Sequence, residues 1–351
     1  MIKKSLIAIL LVLVLIFSLV GYGSNNINTK SNEEPEKIIE KDGALEGTTL
    51  NIFAAYGGKD KIFDEFEKDT GIKVEYLGMS SGEVLAKLRA ENGKPSGDVW
   101  FGGGSDSFIA AKNDGLLEQY VSPEAKYIPD QFKDKDGYWI GVSLVTVNFL
   151  VNTDLCKEKG IEIPQTWTDV VKPEFKGEVL MSNPSISGTA YTILSGLLQS
   201  MGDEEGWAFF DKLNENIPYY AKRGSEPPKK AALGEVIVGL SPGTGEELKT
   251  EGYPIVNVMP KDGTPWWPAP MAILKGAKNL EAAKAFEDWC LSERGQKVLR
   301  DNCPRVPTRE GIKPPEALSG IKNTKLLNID FVKAGNERDE IVKKWKEKYE
   351  K

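Results

Sequence analysis

The chain has 351 residues, of which 40% are hydrophobic and 28% are charged, and its formal net charge is −7. This length suggests about two domains of ordinary globular composition. The acidic balance without a basic stripe argues against nucleic acid as a partner. The chain contains no histidine, which removes Ser-His-Asp and Cys-His catalysis and His-ligated zinc.

Residues 1–23 have the layout of an export signal. Lys3 and Lys4 precede an apolar run at residues 6–20, which is shorter than the ~20 residues that a spanning helix needs. The next residues resemble a bacterial lipoprotein box, but Tyr22 stands where the lipidated cysteine should be. Lipidation at that position is chemically impossible. We expect export to the periplasm or to the outer face of the cytoplasmic membrane, and anchoring through an uncleaved N-terminus stays open.

The next part of the chain alternates between strand and helix patterns. Residues 24–47 are polar and predict a flexible tether, and strands are predicted at 48–55, 72–77 and 98–101. The segment Ser80–Glu83 opens a helix with a capping box. Such alternation indicates an α/β sheet with mainly parallel strands, whose ligands bind beyond the carboxyl ends of the strands. The candidate binding residues in these loops are Tyr56, Gly57, Ser80, Ser81, Gly103, Gly104 and Ser105.

The second half of the chain predicts two crossovers between lobes. A β-rich run at 139–152 predicts the passage into a second lobe, and residues 255–259 predict the return. An amphipathic helix is predicted at 279–299 and a charged terminal helix at 341–351. The predicted organisation is a signal segment at 1–23, a tether at 24–47, a discontinuous lobe 1 at 48–143 and 256–351, and lobe 2 at 144–255.

Residues 183–191 form the most informative stretch, because a Pro/Ser/Gly-rich turn runs directly into an apolar helical pattern. A helix that begins here presents free N–H groups and the positive end of its dipole to an anion. Glycine allows close approach, and hydroxyls add hydrogen bonds. The alternative is that a hydroxyl simply caps the helix. The candidate binding residues are Asn183, Ser185, Ser187, Gly188 and Thr189.

Two further binding candidates follow strands of the second half. Ser241 ends a strand pattern at 234–240. Trp266 and Trp267 are adjacent, so a regular strand cannot turn both towards one core. We select Trp266 as the ring that stacks on a ligand; the alternative is one core ring and one surface ring.

Charged side chains of the second half are expected at the surface. Lys222 and Arg223 are interpreted as a solvated charge run, and the alternative is that they supply positive charge to a site. The pair Glu246–Glu247 is interpreted as exposed acidic surface. Of the three cysteines, Cys290 and Cys303 are the most plausible disulfide, and buried thiols are an equal option.

No constellation of residues supports an enzyme. Ser105 and Ser187 lack the surroundings of a nucleophile elbow. Residues 102–105 lack the Lys-Ser/Thr ending of a phosphate-binding loop. We therefore expect no catalytic residue and no cofactor.

Several segments together resemble a known family. The chain is similar to the extracytoplasmic solute-binding proteins of bacterial ABC importers, in the ferric-iron/organophosphate branch with the type II periplasmic-binding fold. This resemblance implies two α/β lobes that close on a ligand, a monomer, and an ABC permease and ATPase as partners. The segments that carry it are residues 97–103, 163–169, 183–191, 234–240 and 275–289.

The resemblance leaves the ligand open. At the positions where iron-binding relatives hold their ligands, this chain has Asp60, Gly103 and Ser241–Pro242, and the anion-binding arginine of some members falls near Val145–Thr146. The neutral rim favours a phosphorylated or phosphonate-bearing organic anion. One alternative is a ferric-iron-binding protein that uses Tyr56, Asp60 and Asp106. A second is a ligand-sensing subunit for a membrane kinase.

Overall fold

The computed structural model describes residues 43–350, in which the strands form two sheets. The predicted signal segment, most of the tether and Tyr22 lie outside the described residues. The first sheet has the order β11-β4-β10-β3-β1-β2, and the second has the order β7-β6-β8-β5-β9. The strands are β1 Thr49–Ala54, β2 Lys73–Gly78, β3 Val99–Phe101, β4 Ile140–Thr146, β5 Asn148–Asn152, β6 Val179–Ser182, β7 Tyr220–Ala221, β8 Val238–Ser241, β9 Ile255–Val258, β10 Trp266–Ile273 and β11 Val306–Pro307.

Helices lie between most of these strands, and short 3₁₀ turns connect the remainder. None of the helices in residues 43–350 is long and apolar enough to cross a membrane. The helices are α1 Lys59–Thr70, α2 Ser81–Ala90, α3 Ser105–Asn113, α4 Thr153–Lys159, α5 Gly188–Met201, α6 Asp203–Asn216, α7 Glu226–Ala232, α8 Glu246–Thr250, α9 Leu280–Leu291, α10 Glu293–Asn302, α11 Phe331–Asn336 and α12 Arg338–Tyr349.

The strand–helix alternation predicted for the first part is present. Strand β1 pairs in parallel with β2 and with β3, and Gly71 ends α1 with a φ of 77°, a conformation that glycine adopts readily. The capping box of α2 is complete, because Ser80 and Glu83 each bond the other's backbone N–H. The carboxyl ends of these parallel strands therefore meet at one edge of the first sheet.

The chain passes between the two sheets twice. Strand β4 belongs to the first sheet and β5 to the second, with Val147 between them. Strand β9, predicted as the return crossover, pairs with β5 in the second sheet. The return is completed only by β10, which runs antiparallel between β3 and β4.

Two elements differ from the sequence prediction. The helix predicted at 279–299 is two helices, because the backbone of Ser292 is extended and its Oγ accepts a hydrogen bond from Gly295 N, which starts α10. The tryptophan pair, for which no strand was predicted, begins β10. Pro268 and Pro270 obscured this strand, and its register shifts beside Pro270, where a β-bulge tolerates proline.

The core beside the first sheet is rich in aromatic rings. Phe66 meets Phe286 and Trp289 edge to face, with ring centroids 4.9 and 5.5 Å apart. All three side chains are buried, and such pairs contribute about 0.5–1.5 kcal/mol beyond their buried area. This packing fixes α1 and α9 against the sheet.

The C-terminal helices contact elements next to both sheets. Helix α11 packs on α3. In α12, which the sequence assigned to lobe 1, the buried Trp345 meets Phe210 of α6 and Tyr220 of β7 edge to face. Of the two options left open for the cysteines, the structure has free thiols, with Cys156 and Cys290 buried and Cys303 partly buried.

Candidate functional site

A cavity of about 440 Å³ lies beyond the carboxyl ends of strands from both sheets. Loops after β1, β2, β3, β6 and β8 contribute to its wall, as expected for an α/β protein. The sequence candidates that line it are Tyr56, Gly57, Ser80, Ser81, Gly103, Ser187, Gly188, Thr189 and Ser241. The candidates that do not line it are Gly104, Ser105, Asn183, Ser185 and Trp266.

The first turn of α5 lies at the cavity and is capped at the same time. Ser187 is the N-cap residue, and its Oγ accepts hydrogen bonds from Ala190 N at 3.4 Å and from Ser182 Oγ at 2.9 Å. The first-turn N–H groups of Gly188 and Thr189 have no acceptor within their own helix. The capping and anion-binding interpretations of this stretch are therefore compatible.

The other half of the same stretch faces away from the cavity. Asn183 Nδ2 donates to Glu350 Oε1 at 2.5 Å, and Asn183 Oδ1 accepts from Ser185 Oγ at 2.6 Å. Arg338 donates to the Ser185 carbonyl oxygen at 3.4 Å. Asn183 and Ser185 thus shape the turn and connect it to α12, which corrects their selection as cavity-lining residues.

Glycine is required where α5 meets the loop after β3. A Cβ atom at Gly188 would lie 2.4 Å from Gly104 N and 2.5 Å from Ser81 Oγ. Ser81 Oγ also accepts a hydrogen bond from Gly104 N at 2.9 Å. Gly104 therefore lies behind the cavity wall, where it contacts α2 and α5, and the neighbouring Ser105 is buried.

Tyr56 forms part of the floor of the cavity as a neutral phenol. Its hydroxyl shares a hydrogen bond of 2.8 Å with Ser143 Oγ, and its ring packs on Phe101. Burial raises the pKa of Tyr56 to about 12, although the charge of Arg305 lowers it. The guanidinium of Arg305 lies 4.2 Å from the centroid of the Tyr56 ring.

Four basic side chains line the cavity: Lys59, Arg223, Lys229 and Arg305. Within residues 43–350, none of the four has a carboxylate oxygen inside 4 Å. Arg223 was expected in a solvated charge run, but it lines the cavity and donates to the Gly78 carbonyl oxygen at 3.4 Å. No local sequence pattern marks Arg305, which precedes the short strand β11.

Two acidic side chains also reach the cavity, Glu246 and Glu247 of α8. They were expected to be ordinary exposed surface. Glu246 pairs with Lys249 at 3.3 Å, and Glu247 is exposed. The cavity is therefore strongly charged rather than a neutral rim of glycines and hydroxyls.

The tryptophan that lines the cavity is Trp267, not the selected Trp266. The Nε1 of Trp267 donates to the Gly103 carbonyl oxygen at 2.7 Å. Trp266 Nε1 donates to the Leu327 carbonyl oxygen, and its ring meets Phe331 edge to face. The alternation of side chains along β10 separates the two rings, as argued from the sequence.

The three candidates for an iron site lie in different surroundings. The Tyr56 hydroxyl bonds Ser143, Asp60 accepts a hydrogen bond from the Tyr76 hydroxyl, and Asp106 pairs with Arg338 at 2.8 Å. Burial raises the pKa of Asp106 above its ordinary value, although the Arg338 charge lowers it. Across the described part of the chain, no group of three or more histidine, cysteine, aspartate or glutamate residues could hold a metal ion. The positions near Val145–Thr146, where some relatives hold an arginine, belong to β4.

Comparison with known proteins places these observations in a family. The sequence model described as "Bacterial extracellular solute-binding protein" matches residues 98–334. An uncharacterized protein of Haemophilus influenzae is 34% identical over 80% of this chain and 84% of its own length. A probable ABC transporter periplasmic-binding protein of Sinorhizobium fredii is 26% identical over 81% of this chain and 79% of its own length.

Solved structures show the same architecture. The periplasmic binding protein AfuA from Actinobacillus pleuropneumoniae, with fructose-6-phosphate bound, superposes with a TM-score of 0.82 at 32% identity, covering 86% of this chain and 98% of that one. Iron-bound HitA from Pseudomonas aeruginosa gives a TM-score of 0.75 at 21% identity, covering 85% and 99%, which supports the fold alone. The predicted α/β, two-lobed binding-protein fold is confirmed.

Proposed function

Because the chain belongs to the family of bacterial extracellular solute-binding proteins, we propose that its cavity captures a small organic solute with a phosphate or phosphonate group. The chain is the solute-binding component of an ABC importer and not an enzyme. We propose that two lobes built around the two sheets close on the solute, and that the loaded protein docks on a permease and its ATPase.

The observation that carries this proposal is the set of four basic side chains without carboxylate partners. A cavity with unpaired cations favours an anionic ligand, because the ligand supplies the missing charge. The body of the protein is acidic overall, so the attraction has to be local.

We place the anionic group beside what we call the Gly78 cluster, which consists of Lys59, Gly78, Arg223 and Thr189. Arg223 Nη2 lies 3.4 Å from the Gly78 carbonyl oxygen, and Lys59 Cε lies 3.8 Å from the position that a Cβ of Gly78 would take. Thr189 lies against Gly224, the residue after Arg223: a Cβ atom on Gly224 would be 2.5 Å from Thr189 Oγ1. The first-turn N–H groups of α5 complete the cluster and stabilise a phosphoryl group.

A thermal-unfolding panel tests this function. Fructose 6-phosphate, phosphoglycerates, 2-aminoethylphosphonate and ferric citrate are added separately to the purified protein. A ligand at one hundred times its Kd stabilises the native state by about 2.7 kcal/mol, so at least one phosphorus-containing solute should raise Tm clearly. A shift with ferric citrate and with none of the phosphorus compounds would make the protein an iron carrier instead.

Export and delivery are tested in the producing cells. We propose that the N-terminal segment directs the protein outside the cytoplasmic membrane, as in the periplasmic relatives. Cross-linking in the presence of solute should then recover permease subunits. Recovery of a membrane kinase would support the sensing alternative.

A further inference from the structure

Arg305 lies over a tyrosine ring in the wall of the cavity. Its Cζ atom is 4.2 Å from the centroid of the Tyr56 ring, and both residues line the cavity. Lys59 has the same arrangement in a weaker form, because its Nζ atom is 5.4 Å from the centroid of the exposed Tyr76 ring. Two of the four basic side chains of the cavity thus face an aromatic ring, and neither has a carboxylate oxygen within 4 Å in the described part of the chain.

The Tyr56 ring is held by residues that do not line the cavity. Its hydroxyl shares a hydrogen bond of 2.8 Å with Ser143 Oγ, and its ring centroid lies 4.6 Å from that of Phe101. All three side chains are buried, and neither Ser143 nor Phe101 belongs to the cavity wall. Because the hydroxyl is engaged by Ser143, the ring is the part of Tyr56 that supports Arg305.

The segment that contains Arg305 packs directly on the turn that follows Tyr56. A Cβ atom at Gly58 would lie 2.1 Å from the Asn302 carbonyl oxygen, so the two backbones approach as closely as glycine allows. Strand β11, which follows Arg305, pairs with β4 at Ser143, the residue that bonds the Tyr56 hydroxyl. The fold therefore fixes the guanidinium and the ring relative to each other.

We infer that Tyr56 is a positioning residue: its ring holds Arg305 in the orientation in which the guanidinium donates to the bound solute. This inference rests on the proposed function. The face of an aromatic ring attracts a cation and leaves its charge in place, whereas a carboxylate would cancel the charge and accept the N–H donors that a ligand needs. An arginine that is already ordered also loses less conformational freedom when the ligand binds. Tyr56 thus raises the affinity through Arg305 and not through a contact of its own.

A double-mutant cycle tests the inference by calorimetric titration. Fructose 6-phosphate, 3-phosphoglycerate and 2-aminoethylphosphonate are titrated into the wild type, and the compound that binds most tightly is used for every variant. Arg305→Gln should weaken binding at least about tenfold, because a charge-assisted hydrogen bond is lost. Tyr56→Leu should weaken it at least about fivefold, which is within the range of a cation–π contact. In the Arg305→Gln background, Tyr56→Leu should change Kd by less than about twofold, since the group through which the ring acts is absent.

Further variants separate this role from a structural one. Tyr56→Phe keeps the ring and loses the bond to Ser143, so it should rescue the affinity to within about threefold of the wild type while its stability falls. Tyr56→Met repeats the removal of the ring with a flexible side chain that fills irregular space. Phe66→Leu is the matched control, because Phe66 is a buried ring of the same core that contacts Phe286 and Trp289 and does not line the cavity. It should lose stability in urea unfolding and keep the wild-type Kd.

The outcomes distinguish this inference from the proposed function. Wild-type affinity in Tyr56→Leu or Tyr56→Met would overturn the inference and leave the phosphorus-binding function standing. An equal loss of affinity from Tyr56→Leu in the wild-type and Arg305→Gln backgrounds would also overturn it, because the ring would then contact the solute itself. If neither the three compounds nor inorganic phosphate binds the wild type, the proposed function fails and the inference fails with it.

Discussion

Replacing Arg223 by glutamine tests the anion site directly. Arg223 is exposed, and its hydrogen bond of 3.4 Å to the Gly78 carbonyl oxygen is too long to contribute much to stability. Its loss should therefore change the free energy of unfolding by less than about 0.5 kcal/mol. If Arg223 donates to a phosphoryl oxygen, the loss of one charge-assisted hydrogen bond costs about 1.5–3 kcal/mol of binding free energy, or about 10- to 160-fold in Kd.

The neighbouring Lys222 provides the matched control. Lys222 is exposed and does not line the cavity, so Lys222→Gln removes the same charge one residue away. Both variants are titrated with the phosphorylated solute that stabilises the wild type best, and urea unfolding checks their stability. The reasoning is refuted if Arg223→Gln binds as tightly as the wild type, or if Lys222→Gln loses as much affinity.

Two further predictions concern the wall of the cavity. Gly188→Ala should lower both stability, by about 1–3 kcal/mol, and affinity, because the added Cβ would lie 2.4 Å from Gly104 N. Gly196→Ala in the same helix is the control: its Cβ would lie 3.0 Å from the flexible tip of Ile329 and at an ordinary 3.5 Å from Pro265 Cβ, so it should keep both in urea unfolding and calorimetry. Tyr56→Phe should cost about 1 kcal/mol at neutral pH through the lost bond to Ser143. Burial raises the pKa of Tyr56 in the folded protein to about 12, from 10.0, so the stabilisation by the neutral phenol is complete below pH 10 and declines between pH 10 and 12. The difference in free energy of unfolding between the wild type and Tyr56→Phe should therefore shrink over that range. A difference that does not change with pH would contradict the neutral state assigned to Tyr56.

The sequence predicted the features that depend on neighbouring residues. The capping box at Ser80 and Glu83 joins positions three apart, and Ser187 begins a helix immediately after a glycine- and serine-rich turn. Such interactions are local, so the residue pattern contains them. The convergence of the loops followed from strand order, because parallel strands end at one edge.

The charges of the cavity could not be predicted in this way. Arg305 comes from the segment after α10, Arg223 from the turn after β7, and Glu247 from α8, and only the tertiary fold brings them to one cavity. In isolation each has the sequence context of a surface charge. Strand β10 was missed for a different reason: its two prolines are rare in central strands and are tolerated here next to a register shift.

The central claim is that the cavity holds a phosphorus-containing organic solute. Native mass spectrometry of the protein, mixed with equal amounts of fructose 6-phosphate, sorbitol 6-phosphate, 2-aminoethylphosphonate and ferric citrate, tests it most directly. We expect a one-to-one adduct with a phosphorus compound that Lys222→Gln retains and Arg223→Gln weakens. An adduct that contains iron and no phosphorus compound, or the same adduct in equal yield with Arg223→Gln, would contradict it.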